Sequence, residues 1–472
     1  MESLRRGSEL TLPVEKLIFG GKALSRLDGF VVLMDRALPG QRVRVRIAKK
    51  KANYAEAQVL EVLERSPDEV DPACAHFGVC GGCLWQNLDY AQQLVWKHRH
   101  VSECLLALGD PADFPVFEVI PSPVLYGYRN KMEFTFSAHR WLSPNEVACS
   151  DVAYDRSFAL GLHVRGRYDR VFDVHDCRLE SSEAMAVVDI LRRAAKASGL
   201  APYHIRTHRG VWRFVVVREA KKTGQRLVHL ITADVPEVHG TVERVARELE
   251  SQGPPVTTFV HSVNRTRAQV AQGECSRVLW GSGAIEEHVG RLRFRISAQS
   301  FFQTNTLGAE KLYAAVLESA ELTGTETVWD LYCGTGSIAL TLAGQARTVT
   351  GFELVEEAVA DAYQNAALNG VDNCRFFAGD LKDVLRQHSL DVFGGQPDVI
   401  VTDPPRSGMH PKVVKTLLEL APRRIVAVSC NPSTLARDLS GLSHAYRVHA
   451  VQPFDLFPHT PHIECVVRLD RK

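Results

Sequence analysis

The sequence predicts a multidomain α/β protein with a small N-terminal β-barrel, a central α+β region and a C-terminal doubly wound parallel sheet. Three observations predict it. Residues 8–66 form short runs of alternating apolar and polar residues, separated by turn signals at Gly20-Gly21, Asp28-Gly29 and Pro39-Gly40. Residues 71–295 open on a cysteine cluster and mix one helical stretch with strand-like runs. Residues 296–472 alternate apolar strand runs with helical stretches. A chain of 472 residues exceeds what one hydrophobic core supports, so several domains are expected.

Composition bounds the function classes. An apolar fraction of 45% and a charged fraction of 24% are those of an ordinary soluble protein. No apolar run reaches the length of a membrane span, and "MESLRRGSEL" lacks the apolar core of a secretion signal. The expected location is therefore cytoplasmic, with no membrane partner. With no self-association element in view, a monomer is expected. Eleven cysteines in a reducing compartment read as metal ligands where clustered, and as core residues or nucleophiles where isolated.

Net charge is +1, but residues 1–54 hold twelve Lys or Arg against five Asp or Glu. Within "RVRVRI", Arg42, Arg44 and Arg46 share one strand face and the valines the other. One face is expected to be core and the other a row of guanidiniums suited to phosphate. A solvated basic strand would give the same charge pattern.

In the central region a helix is expected from Asp89 to Leu108, with strands at "KMEFTFS" and "WRFVVVRE". "YGYRNKMEFTFS" interleaves aromatics with Arg129 and Lys131, a combination suited to stacking and phosphate contact with a splayed RNA loop. A strand with one polar face accounts for it equally. "CAHFGVCGGC" supplies Cys74, Cys80 and Cys83, and "FDVHDCRL" offers Cys177 as a fourth thiolate. Thiolates alone suit zinc or iron–sulfur, with His76 and His175 as rival ligands.

The C-terminal region carries the chemistry. "VWDLYCGTGSIAL" is a strand, a glycine turn and a helix start, and Glu353 follows Gly334 by nineteen residues. That offset suits a carboxylate accepting from ribose hydroxyls, with NAD or S-adenosylmethionine (SAM) as ligand. "VIVTDPPRSG" then puts Asp403-Pro404-Pro405-Arg406 at the end of a later strand. An acid followed by two prolines is a stiff outward-facing turn, characteristic of base methyltransferases, and favours SAM.

Cys430 follows the next strand and precedes an Asn431-Pro432 helix start, whose dipole should favour a thiolate. A thiolate beside SAM fits methylation at carbon 5 of a pyrimidine, because its addition to carbon 6 makes carbon 5 nucleophilic. Glu464, opening an apolar strand, is the candidate base for the carbon 5 proton. Cys104, Cys149, Cys275, Cys333, Cys374 and Cys465 read as inert core thiols.

The stretches "SAQSFFQTN", "DLYCGTGS", "DPPRSG", "VSCNPS" and "FDLFPHTPHIE" together resemble the RNA 5-methyluridine (uracil-C5) methyltransferase family, over nearly the whole chain. The resemblance implies a Rossmann-like SAM domain with Cys430 as nucleophile and Glu464 as base. It implies that Gln303, Tyr332, Glu353 and Asp403 line the SAM site, with Ser337 and Asp380 as weaker members and Asp403 also reaching the uracil. Phe301 and Phe302 are expected to pack. Residues 8–66 resemble the TRAM domain, an OB-like RNA-binding barrel. Cys74, Cys80, Cys83 and Cys177 are implied ligands of a [4Fe–4S] cluster in the central domain, with a structural role. The implied partner is RNA, with large ribosomal RNA preferred and tRNA open. A noncatalytic iron–sulfur RNA-binding protein is the alternative from another class.

Overall fold

The computed structural model describes residues 4–108, 114–149, 152–387 and 390–472. Its N-terminal unit is a six-stranded sheet in the order Glu9–Pro13, Arg42–Lys50, Tyr54–Glu64, Phe30–Asp35, Ala23–Leu27, Lys16–Leu17. Along Arg42–Lys50 the side chains alternate as the pattern predicts, with Val43, Val45 and Ile47 in the core. The arginine row is present but occupied. Arg44 bonds Glu9 at 2.9 Å and Glu61 at 3.0 Å, Arg46 bonds Glu9 at 2.7 Å, and Arg42 bonds Glu64 at 3.2 Å. Cross-strand glutamates turn the expected phosphate-binding row into a ladder of exposed ion pairs.

The helix expected from Asp89 spans Tyr90–Leu105 with Asp89 as its N-cap, and ends in a 3₁₀ turn, Leu106–Leu108. It packs away from the central sheet. Val101 and Leu105 share a core with Leu439 and Leu442 of the C-terminal domain, while Trp96 joins the barrel core beside Trp85. The central sheet has eight strands, among them Lys131–Ser137 and Trp212–Glu219. The helices Ser182–Ala197 and Val238–Gln252 bury their apolar faces in its core.

The C-terminal sheet runs in the order Cys374–Ala378, Thr348–Glu353, Thr327–Leu331, Val399–Thr402, Arg424–Ser429, Glu464–Arg471, Tyr446–Phe454. The first five strands are parallel; Glu464–Arg471 is antiparallel to both its neighbours. That order reverses between Thr327–Leu331 and Val399–Thr402, the switch point beyond whose strand ends such sheets bind ligands. A ribbon of Ala284–Val289 and Leu292–Ser297 packs Ile285, Val289, Phe294 and Ile296 into the same core. Among the described residues, no helix is long and apolar enough to cross a membrane.

Candidate active site

Beyond the strand ends opens a cleft of about 1690 Å³. Gln303, Tyr332, Glu353, Asp380, Asp403, Cys430 and Glu464 all line it. The strand Thr327–Leu331 delivers a tight turn in which Tyr332 has φ +69° and Gly336 φ +83°. A Cβ on Gly336 would lie 3.2 Å from Ala362 and the Phe376 ring, so only glycine suits this close, left-handed position. Glu353 ends the next strand, where its carboxylate accepts from Gly334 N at 3.1 Å and Val355 N at 3.0 Å. Asp380 stands at the rim, and its 2.6 Å bond to Lys382 holds its carboxyl below the usual range. Ser337 is buried and lies outside the cleft lining.

Asp403, Cys430 and Glu464 arrive on three different strand ends. Burial pushes Asp403 up to about 7. Glu464, 4% exposed, lies well above the usual carboxylate range through burial, reinforced by Asp403 and opposed by Arg406. Cys430 is pushed up to about 12, first by burial and then by Glu464 and Asp403. The predicted helix start is present, with Asn431 accepting from Ser433 N at 3.1 Å and Pro432 following. The dipole does not prevail over burial and two carboxylates, so the free thiol is the resting form.

Other residues of the cleft wall escaped the sequence reading. Phe302 packs as expected, 3% exposed, but Phe301 is 64% exposed and lines the cleft. Arg406, His462 and Phe457 line it too. His462 Nδ1 lies 3.4 Å from Arg406 Nη2, and burial lowers its pKa to about 4, leaving a neutral ring. The i, i+2 spacing of His462 and Glu464 was the available signal, since such residues point the same way in extended chain.

The four clustered cysteines, Cys74, Cys80, Cys83 and Cys177, line a second cavity of about 310 Å³. Burial pushes the thiols of Cys80 and Cys177 up to about 11 and about 12. His76 also lines this cavity, whereas the side chain of His175 is 57% exposed and pairs with Asp173 at 3.3 Å. Arg129 and Thr304 stand between the two cavities and line both. In the aromatic-basic stretch Tyr128 is buried and Lys131 is paired with Glu133 at 2.6 Å, so of its two cations only Arg129 faces the cleft. Cys333, Cys374 and Cys465 are buried as expected, but Cys149 and Cys275 are exposed.

Known proteins match this architecture end to end. The model of the tRNA (uracil-5-)-methyltransferase family matches residues 284–472, and that of the TRAM domain residues 4–60. An uncharacterized RNA methyltransferase of Nitratidesulfovibrio vulgaris is 44% identical over 474 residues, covering 100% of this chain and 98% of its own. Another from Chlorobaculum tepidum is 41% identical over 449 residues, 94% of this chain and 92% of its own. The solved tRNA (uracil-54, C5)-methyltransferase of Pyrococcus abyssi, in complex with S-adenosyl-L-homocysteine, superposes with a TM-score of 0.75 at 27% identity. That superposition covers 98% of this chain and 100% of the archaeal one. With a TRAM barrel at its N-terminus and a cleft formed at the switch point of a Rossmann-like sheet, the chain belongs to the tRNA (uracil-5-)-methyltransferase family of RNA methyltransferases.

Proposed function

We propose that this protein methylates carbon 5 of a uracil in structured RNA, with Cys430 as nucleophile and Glu464 as base. The convergence of Cys430, Asp403 and Glu464 on one cleft at the sheet's switch point carries this reading. SAM, when bound, supplies an electrophilic methyl group; Glu353, Asp380, Gln303 and Tyr332 are the residues placed to hold it. The Cys430 thiol gives its proton to water, its sulfur adds to carbon 6, and the displaced π pair makes carbon 5 a nucleophile for that methyl. Glu464 then takes the carbon 5 proton, the carbon 5–carbon 6 double bond re-forms, and the sulfur leaves. A uracil inside a duplex could not present carbon 6 to Cys430, so the target base is flipped into the cleft.

The cysteine cavity suits a [4Fe–4S] cluster held by Cys74, Cys80, Cys83 and Cys177. Among the described residues, no group of three or more His, Cys, Asp or Glu is gathered tightly enough to hold a single metal ion. All four cysteines line one cavity, and thiolates are the ligands such a cluster takes. The cluster's role would be to fold the cysteine loop.

Ribosomal RNA is the substrate we favour, because the barrel and the central domain add RNA-contact surface to the catalytic unit. A tRNA uridine is the second reading. It is favoured by the full-length likeness to the archaeal tRNA enzyme, which covers the barrel and central domain as well. Nucleoside mass spectrometry of rRNA and tRNA from cells with and without the gene tests both, the expected result being loss of one 5-methyluridine from one of the two pools. Cys430→Ala should abolish methyl transfer by the purified enzyme. Methylation that survives this change would leave the mechanism without its nucleophile, and an RNA-binding role would take its place.

A further inference from the structure

Glu464 is the first residue of its strand, and the loop before it, residues 455–463, contacts the barrel, the cysteine loop and the helix Tyr90–Leu105. At the centre of that loop stands His459, 4% exposed and with φ +66°, a left-handed backbone uncommon for a residue other than glycine. Both its backbone groups are held from outside the catalytic domain. His459 N donates to Gln93 Oε1 at 2.8 Å, and His459 O accepts from Leu84 N at 2.9 Å and Trp85 N at 3.0 Å. Leu84 and Trp85 directly follow Cys83 of the cysteine loop.

The Gln93 amide is wholly buried and uses every group it has: its Nε2 donates to Trp85 O at 2.9 Å and Leu88 O at 2.8 Å. The His459 ring stacks on Tyr126 at 4.6 Å. On the barrel side, a Cβ on Gly21 would come within 2.9 Å of Pro461 Cγ, so barrel and loop are in close contact. Cys430 and Asp403 follow strands that do not border this loop directly in sequence. The strand before Asp403 is paired in parallel on both sides, and Arg424–Ser429, before Cys430, pairs in parallel with it and antiparallel with the Glu464 strand, Ser429 facing Cys465.

We propose that Gln93 is a positioning residue for the proton-removal half of the reaction, holding His459 so that the 455–463 loop presents Glu464 to carbon 5. The proposal rests on the reading of Glu464 as the base. It separates the reaction into two supports. Sulfur addition and methyl transfer use residues that follow sheet strands, while Glu464, the first residue of its strand, takes its entry from a loop clamped by the barrel, the cysteine loop and the helix Tyr90–Leu105. A slackened clamp leaves the sulfur–carbon 6 bond in place after methyl transfer, because the carbon 5 proton stays on.

The test uses the full-length holoenzyme with SAM and transcripts of the rRNA and tRNA genes, made with uridine or with 5-fluorouridine. Covalent protein–RNA adducts are read on denaturing gels. Gln93→Met should trap on 5-fluorouridine RNA at near the native rate. On uridine RNA it should accumulate a methylated adduct, with release slowed about tenfold or more. Glu464→Gln is the reference. If it releases product normally, the base reading falls and the proposal with it. If it accumulates adduct while Gln93→Met turns over normally, or loses trapping and release in equal measure, the positioning role alone is overturned. Should Gln93→Met fail to fold, Tyr126→Leu decides: it loosens the same His459 from the 38% exposed side, and adduct accumulation there supports the clamp while native release refutes it.

Discussion

The Lys97 ammonium meets the Asp455 carboxylate at 2.5 Å, and neither side chain is exposed to solvent. Lys97 also donates to Phe457 O at 3.1 Å, and Asp455 accepts from Tyr90 Oη at 3.0 Å. The pair joins the helix Tyr90–Leu105 to the loop that precedes Glu464. Burial strips both charges of water, so each depends on the other. Lys97→Met should therefore lower stability by about 3–5 kcal/mol, because it strands a buried carboxylate. Lys97→Met combined with Asp455→Leu should recover much of that loss. Denaturant midpoints of the three proteins check this, and a double variant as weak as the single would show that packing, not charge, is at stake.

Cys430 should be a poor nucleophile toward small alkylating agents in the ligand-free enzyme. Burial and the two facing carboxylates hold its thiol up at about 12, so iodoacetamide labelling should climb steadily with pH and show no plateau near neutrality. Glu464→Gln removes one of those carboxylates and should move the labelling profile to lower pH. Asn431→Ala removes the helix cap and should move it the other way. Peptide mapping of the Cys430 label reads both; a plateau at neutral pH in the native protein would contradict the burial argument.

Strand ends were legible because strand, turn and helix are local in sequence. Asp403, Cys430 and Glu353 each sit where an apolar run stops, and the sheet brings those stops to one edge whatever lies between them. Long-range pairing was not legible. Arg42, Arg44 and Arg46 show their face in the pattern, but Glu9, Glu61 and Glu64 become their partners only through strand register. The helix from Tyr90 was found at nearly its true length, yet its packing against the C-terminal domain depends on tertiary geometry. Phe301 and Phe302 are neighbours of the same type, and only the turn of the backbone decides which one meets the cleft. Ser337 fits the glycine-turn motif by position, but as the first residue of its helix it is buried outside the cleft lining.

The barrel's ion-pair ladder makes a prediction of its own. Glu9 accepts from both Arg44 and Arg46, whose hydrogen bonds hold its carboxyl below the usual range. Glu9→Gln should free the Arg46 guanidinium for phosphate, Arg44 staying paired with Glu61, and tighten RNA binding. The slope of log affinity against log salt should steepen by about 1, as one further counterion is released. Filter binding of the rRNA and tRNA transcripts across a potassium chloride series measures it. An unchanged slope would mean that this face does not touch RNA.

Asp403 should tie cofactor affinity to pH. Burial raises its carboxyl to about 7 from an ordinary value of 3.8, so in the ligand-free fold it keeps its proton where the unfolded chain has lost it. The folded state thus binds the extra proton between about pH 4 and pH 7. Stability from this group is greatest below that window, falls as pH rises through it, and is level above. SAM carries a positive sulfonium and prefers the carboxylate over the neutral acid. Its affinity should therefore rise with pH up to and just beyond 7, by at most about tenfold per pH unit. S-adenosylhomocysteine has a neutral sulfur and should show a flatter profile, and Asp403→Asn should flatten the SAM profile as well. Calorimetric titrations between pH 6 and 8 compare the three. Parallel profiles for SAM and S-adenosylhomocysteine would place the sulfonium away from Asp403.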